Sequence, residues 1–228
     1  MAWRRQRVSP VDFAVRPAET VTRDGWTVVV RFEKEAQGPW IIDLSHRPKW
    51  DLQSAAIDEQ NPWGLQIPKA PGDCVVENGL VVCRMNPMQA FLWDLGHKAS
   101  GHPSVDGVTE LTDGLCLLGF LGHGIQKIME KLSPLDLQAP SKSGPYLIQG
   151  PVGSVPCQVV VFQQFDPMVA AVAFSRGYGQ SMAEAFLAAG REIGLRPGGE
   201  LRFLNWLNGA AGRNETASRY RQSSMFAH

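Results

Sequence analysis

The sequence predicts an α+β fold, with mixed, largely antiparallel strands and three or more helices packed on them, arranged as two related halves. Three observations lead there. Apolar and polar residues alternate in several short runs, the period of a half-buried strand. Elsewhere apolar residues recur at i, i+3, i+4 and i+7, the stripe of a helix that faces a core. The order of strand, turn and helix then recurs along the 228 residues, a length that admits one large domain or two small intimate ones.

Residues 1–20 are polar and marked by prolines, so they read as an extended arm carrying the small basic cluster Arg4, Arg5 and Arg7. The main domain is expected over 21–204, with halves of about 21–100 and 101–204. It opens with "GWTVVVRF", which turns Trp26, Val28, Val30 and Phe32 inward against Thr27 and Arg31. "PWIIDLSHRPKWDLQ" reads as strand, turn and strand, and residues 52–74, with their prolines and no sustained period, as irregular chain. "NGLVVCRM" is a strand, and "NPMQAFLWDLGHKASG" reads as a helix because Met88, Phe91, Leu92 and Leu95 fall on one helical face.

In the second half, "VTELTDGLCLLGFLG" gives strand and "HGIQKIMEKLSP" a helix on Ile125, Ile128, Met129 and Leu132, stopped by Pro134. "YLIQGPVGSVPCQVVVFQQF" is a strand, a turn and a strand. "MVAAVAFSRGYGQSMAEAFLAAGREIGLRPGG" supplies strand, turn and helix, with Met182, Phe186, Ala189 and Ile193 on one face and Gly194 with Pro197 as the stop. Residues 205–228 read as a polar tail that orders on a partner. The halves correspond through two pairs of segments. "WIIDLSHRPKWDLQ" matches "VTELTDGLCLLGFLG", and "GLVVCRMNPMQAFLWDLGHKA" matches "AVAFSRGYGQSMAEAFLAAGRE".

Composition excludes several classes of function. Lys+Arg 22 against Asp+Glu 22 leaves no basic excess for nucleic acid. No apolar run approaches the ~18 residues of a membrane span, and the basic start leads into "VSPVDFAV" instead of a secretory core, so a cytoplasmic location is expected. Cys74, Cys83, Cys116 and Cys157 form no C-x-x-C and read as core thiols in a reducing compartment. His46, His97, His102 and His123 never fall at metal-binding helical spacing and read as surface or turn residues; Lys127 and Asp113 read as exposed turn residues. No metal site, G-x-S-x-G elbow, G-x-G-x-x-G fingerprint or P-loop is present.

The most informative stretch is the turn "SRGYGQSMAE", residues 175–184. Gly177 and Gly179 permit positive φ and close backbone approach, and the following helix aims free N–H groups at the turn. With Arg176 for charge and Tyr178 for stacking, an anionic group would fit there. Against this, Ser181 to Glu184 spells a capping box, in which both side chains are consumed by backbone amides. The cap-and-turn reading is favoured.

The tracts "VTELTDGLCLLGFLGHGIQKIMEKLSPLDLQ", "QGPVGSVPCQVVVF" and "VAFSRGYGQSMAEAFLAAGREIGLRPGGE", in that order and spacing, resemble the folate-binding domain shared by glycine cleavage T-proteins and their relatives, closing on GL-x-P-x-G. "IIDLSHRPKWDLQ" is similar to the T-protein DlSH strand, and "GLVVCRMNPMQAFLWDL" to the R-x-N-P-x-Q turn of the small (gamma) subunit of heterotetrameric sarcosine oxidase, a short protein carrying this one domain. The likeness runs over about 25–204. It implies a folate-binding (T-protein-like) domain, with Asn86, Arg176, Tyr178 and Glu184 as the folate-type ligand residues; Asn86 before Pro87 also reads as a helix N-cap, the reading favoured.

The departures from that family decide the expected function. "PGDCVVENGLVVCRM" lacks the family's paired catalytic aspartates, and Gln180 stands where the family's turn carries a glutamate. No catalytic residue is therefore expected, and no cofactor is assigned to this chain, tetrahydrofolate being the one candidate. What the resemblance implies is a non-catalytic small subunit of a multi-subunit folate-linked amine oxidoreductase of sarcosine type. Its partners would be larger flavoprotein subunits, which would carry FAD, FMN and NAD. The alternatives are a compact tetrahydrofolate-dependent aminomethyltransferase or demethylase using Asp43 or Glu184, and a homodimeric folate-binding module.

Overall fold

The computed structural model describes residues 6–96, 101–138 and 144–210. An arm leads into a two-stranded ribbon of β1 (Pro17–Arg23) and β2 (Trp26–Phe32). Then follow β3 (Trp40–Asp43), β4 (Lys49–Gln53), β5 (Cys74–Glu77), β6 (Leu80–Asn86), β7 (Gln89–Asp94), β8 (Val108–Glu110), β9 (Leu115–Gly122) and helix α1 (Ile125–Leu132). The chain continues through β10 (Tyr146–Val152), β11 (Val155–Gln163), β12 (Met168–Ser175), helix α2 (Gly179–Ala189), the short β13 (Arg196–Pro197) and a helix over 200–210, here α3. Six strands form one sheet in the order β10-β11-β12-β9-β3-β13, and five form a second in the order β5-β6-β7-β4-β8. All pairings are antiparallel except β13 with β3. Among the described residues no helix is long and apolar enough to cross a membrane.

Side-chain parity sorts the core into layers, because successive residues of a strand point to opposite faces. Val159, Val161, Ala170, Val172 and Phe174 face α1 and α2, meeting Ile128, Met129, Met182 and Phe186. Their neighbours Val160, Val169, Ala171 and Ala173 face the five-stranded sheet, meeting Val81, Cys83, Phe91 and Trp93, with Phe203 and Leu207 of α3 closing the layer. On the far face Trp50, Leu52, Val82 and Leu92 are covered by Ile57 and Ile67 from the irregular 54–73 connection.

Three expectations are corrected. Where a helix is expected in 86–101, of which 97–100 lie outside the described residues, the chain forms β7, paired antiparallel with β6 through the tight turn Asn86–Gln89. Phe91 and Trp93 enter one layer while Ala90 and Leu92 enter the other. A strand buried on both faces is apolar throughout, and that composition imitates a helical stripe. The first half accordingly holds no α-helix among the described residues, and the strand, turn and helix correspondence between halves does not hold at this segment. The tail expected from 205 begins inside α3, whose Leu207 is 6% exposed; residues 211–228 lie outside the described residues. The arm expected to end at 20 has already entered β1 at Pro17.

A buried ion cluster ties the ribbon, the β3–β4 bend and α3 together. Glu200, at the start of α3, has a fully buried side chain and receives Arg23 Nη1 at 2.6 Å, Arg47 Nη2 at 2.5 Å and His46 Nε2 at 2.5 Å. Burial alone would raise the Glu200 carboxyl, but the His46 hydrogen bond and the charges of Arg47 and His46 hold it down at about 2. Burial pushes His46 below its ordinary 6.5 against the pull of Glu200.

Both depressed groups move stability in the same direction. Below 6.5 the unfolded chain takes up the His46 proton first, and the Glu200 contribution, complete above 4.5, is lost as pH falls toward about 2. The urea midpoint is expected to fall continuously from pH 7 toward acid, and a midpoint flat between neutrality and mild acid contradicts the cluster. Glu200→Gln, which strands Arg47 without its counter-charge, is expected to cost about 3–5 kcal/mol in urea unfolding at pH 7.

Candidate functional site

The turn between β12 and α2 is the place where the sequence carries chemistry, and the structure shows what fills it. Arg176–Tyr178 makes one 3₁₀ turn and α2 begins directly at Gly179, whose φ is −49°. Neither Gly177 nor Gly179 has a positive φ, contrary to expectation. Gly179 is instead needed for room. A Cβ there would sit 2.5 Å from Pro10 Cβ and 2.7 Å from the Pro10 carbonyl oxygen.

The N-terminal arm occupies the turn. Arg176 donates through Nη2 to the Val8 carbonyl. The Asp12 amide donates to Gln180 Oε1 at 2.8 Å, and Gln180 Nε2 returns a bond to the Asp12 carbonyl at 3.1 Å. Ser9 Oγ donates to Asp43 Oδ2 at 2.5 Å and accepts the Val11 amide at 3.0 Å. The Arg176 and Arg7 guanidinium carbons lie 5.3 Å and 5.9 Å from the Trp26 ring centroid, and Arg7 also pairs with Asp113 at 3.1 Å. Gln180, read from the sequence as a lost anchor, has the group this arrangement needs, because an amide both donates and accepts and so satisfies a passing strand.

The four expected ligand residues are not gathered into one site. Asn86 lies on the other sheet, where Oδ1 accepts the Met88 amide at 2.9 Å and Nδ2 donates to Gln89 Oε1 at 2.9 Å; it shapes the β6–β7 hairpin and caps no helix. Arg176 is spent on the arm and on Trp26. Tyr178 is 49% exposed, and Glu184 accepts Gln180 Nε2 at 2.8 Å. The capping box does not form: α2 starts two residues before Ser181, whose Oγ donates back to the Tyr178 carbonyl at 3.1 Å. His46 is also corrected, from a surface histidine to a buried partner of Glu200, whereas His102 and His123 are exposed. His97, Arg4 and Arg5 lie outside the described residues.

Under the arm is a cavity of about 400 Å³ lined by Val11, Phe13, Trp26, Val28 and Phe32, with Asp43 and His46 among its polar residues. Trp26, itself 2% exposed, contributes to its floor, and its Nε1 has no hydrogen-bond partner among the described residues. Nothing in the sequence marks this cavity, since its walls come from the arm, β2 and the start of the β3–β4 bend. Such a lining suits a small flat molecule with a donor for Asp43. Among the described residues no group of three or more His, Cys, Asp or Glu is placed to hold a metal.

Gly179→Ala is expected to drive Pro10 off the turn and open the cavity. Hydrogen exchange at the amides of Val11 and Asp12 should rise at least tenfold while protection in β12 is kept; unchanged exchange in the arm contradicts the packing described.

No protein-family model matches the chain, and no curated protein matches it. Among solved structures it is similar to the heterotetrameric sarcosine oxidase from Corynebacterium sp. U-96, in complex with pyrrole 2-carboxylate, at a TM-score of 0.51 and 14% identity over 67% of this chain and 84% of that one. It is also similar to glycine cleavage system aminomethyltransferase T from Bartonella henselae, at a TM-score of 0.56 and 12% identity over 87% of this chain and 61% of that one. The chain thus spans about three fifths of the aminomethyltransferase. At such identities the likeness is one of fold, an α+β body similar to those of the two proteins.

Proposed function

We propose that the chain is the non-catalytic small subunit of a multi-subunit, folate-linked amine oxidoreductase of sarcosine oxidase type. Its larger flavoprotein partners carry FAD, FMN and NAD and oxidise an N-methyl amine. One observation carries the reading. The turn that would receive a ligand is filled by the chain's own arm, so Arg176 and Gln180 are already hydrogen-bonded within the chain. The paired aspartates are also missing from "PGDCVVENGLVVCRM". A body that places such a fold in a complex without the reacting acid positions partners instead of turning over substrate.

Of the three tryptophans between residues 40 and 63, two are engaged within the chain. Trp50 is core, and Trp63 packs edge-on against it at 5.3 Å. Trp40 instead lines an open apolar groove with Pro39, Leu121, Val169 and Trp206. Aromatic residues in such a groove suit the centre of a protein interface. The second reading, a compact tetrahydrofolate-dependent aminomethyltransferase or demethylase, is favoured by the arm-covered cavity with Asp43 at its edge.

Two measurements separate the readings. Affinity purification of the tagged chain from its native cell is expected to recover large subunits with flavin absorbance. Titration of the isolated chain with tetrahydrofolate is expected to leave tryptophan fluorescence unchanged. Recovery alone and colourless, together with saturable quenching that Asp43→Asn abolishes, replaces the docking reading with the enzymatic one.

A further inference from the structure

The four cysteines differ sharply in their surroundings. Cys116 is buried against Ser45 Oγ at 3.4 Å, with burial raising its thiol to about 12, and Cys157 is buried on β11, raised by burial to about 11. Cys74 and Cys83 sit directly opposite each other on β5 and β6, with their sulfurs 2.7 Å apart. Cys83 is fully buried, whereas Cys74, on the edge strand of the five-stranded sheet, is partly exposed.

The register that opposes them is fixed by the turn. Asn78 and Gly79, with φ of 52° and 85°, form a two-residue loop of the type that matches strand twist. Counting back from it, Glu77 faces Leu80, Val76 faces Val81, Val75 faces Val82 and Cys74 faces Cys83. Hydrogen-bonded and non-bonded pairs alternate along such a ladder, and the bond from the Arg84 amide to the Asp73 carbonyl, at 3.0 Å, closes the next bonded pair. The cysteines therefore occupy a non-hydrogen-bonded pair, where Cα atoms approach to about 4.5 Å, inside the range a disulfide spans.

We propose that Cys74 and Cys83 are a redox modification site that closes into a reversible cross-strand disulfide, with hydrogen peroxide as the oxidant. Cys74, the accessible member, attacks one peroxide oxygen as thiolate; its S–O bond forms, the O–O bond breaks, and the departing hydroxide takes up the thiol proton as water. Cys83 sulfur then attacks the sulfenic sulfur of Cys74. The S–S bond forms, the S–O bond breaks, and hydroxide leaves with the Cys83 proton as a second water, so that two thiols are oxidised by two electrons and one peroxide is reduced. An external dithiol reverses the step. The bond staples edge strand β5 beside the place where the Leu147 amide, bonded to the Gly72 carbonyl at 2.8 Å, joins the two sheets.

The test uses the full chain. After peroxide treatment the protein is denatured, free thiols are blocked with iodoacetamide, and trypsin is added; cleavage after Lys69 and Arg84 leaves both cysteines in the peptide 70–84. That peptide is expected to carry no label and to be lighter than its reduced, unlabelled form by about two hydrogens. Dithiothreitol before blocking should restore two labels, and Cys116 and Cys157 should be labelled throughout. In Cys74→Ser, Cys83 should keep its label. Two labels on 70–84 after peroxide, sulfinic acid at Cys74, or a bridge from Cys74 to Cys116, Cys157 or a second copy each overturns the proposal.

Discussion

The chain changes sheet twice, and the two crossings run beside each other as one antiparallel seam. Residues 40–53 leave the six-stranded sheet for the five-stranded one, and residues 108–122 return along them. The ladder does not lapse at the crossing, because the Leu44 amide reaches the Leu117 carbonyl at 2.9 Å and the Leu111 amide reaches the Lys49 carbonyl at 2.8 Å. A backbone that bends inside a core must still find partners for its polar groups. Here side chains supply them. Lys49 Nζ donates to the carbonyls of Ser45 and Arg47 at 2.8 Å and 2.7 Å, Ser45 Oγ accepts the Leu117 amide at 3.2 Å, and Thr112 Oγ1 accepts the Lys49 amide at 3.1 Å. Burial lowers the Lys49 ammonium to about 7, a penalty tolerated because the two carbonyls it caps would otherwise be orphaned.

From that bend the charged cluster and the cavity both follow. His46 and Arg47 are carried inward by the same turn that moves the chain between sheets, and Glu200 meets them from α3. Asp43, the last residue of β3 and three residues before His46, is left facing the arm, where Ser9 engages it. The arm is thereby held at three points along residues 8–12, Val8 by Arg176, Ser9 by Asp43 on the bend and Asp12 by Gln180 on the β12–α2 turn. The groups that a ligand would use and the groups that fix the chain's own start are the same ones. This overlap is the physical basis for reading the chain as a positioning subunit.

How much was legible in the sequence follows from range. Strands with one wet face, such as Trp26–Phe32, declared themselves by alternation, and α1 by its stripe. Gln89–Asp94 did not, because a strand covered on both sides loses its period. Met88, the residue that completed the false stripe, is 55% exposed at the hairpin turn. The S-x-x-E pattern misled for a different reason: Pro10 packs against Gly179, and α2 starts there, ahead of Ser181. The Glu200 cluster joins residues 23, 46, 47 and 200, and no local pattern connects positions so far apart. A density of charge among apolar neighbours, in "DLSHRPKW", was the one visible sign that this bend is unusual.

The arm's seat also sets an order of events during synthesis. Asp12 and Gln180 are 168 residues apart, so the arm leaves the ribosome long before the turn that receives it has been made. At about 5–20 residues per second that interval lasts roughly 10–30 s, during which the arm has its contacts to the ribbon, the Arg7 amide on the Gly25 carbonyl and Phe13 against Phe32, and not yet the turn. The arm's seat on the β12–α2 turn is therefore closed later than its seat on the ribbon, and the two halves of its binding are separated in time by the synthesis of most of the body.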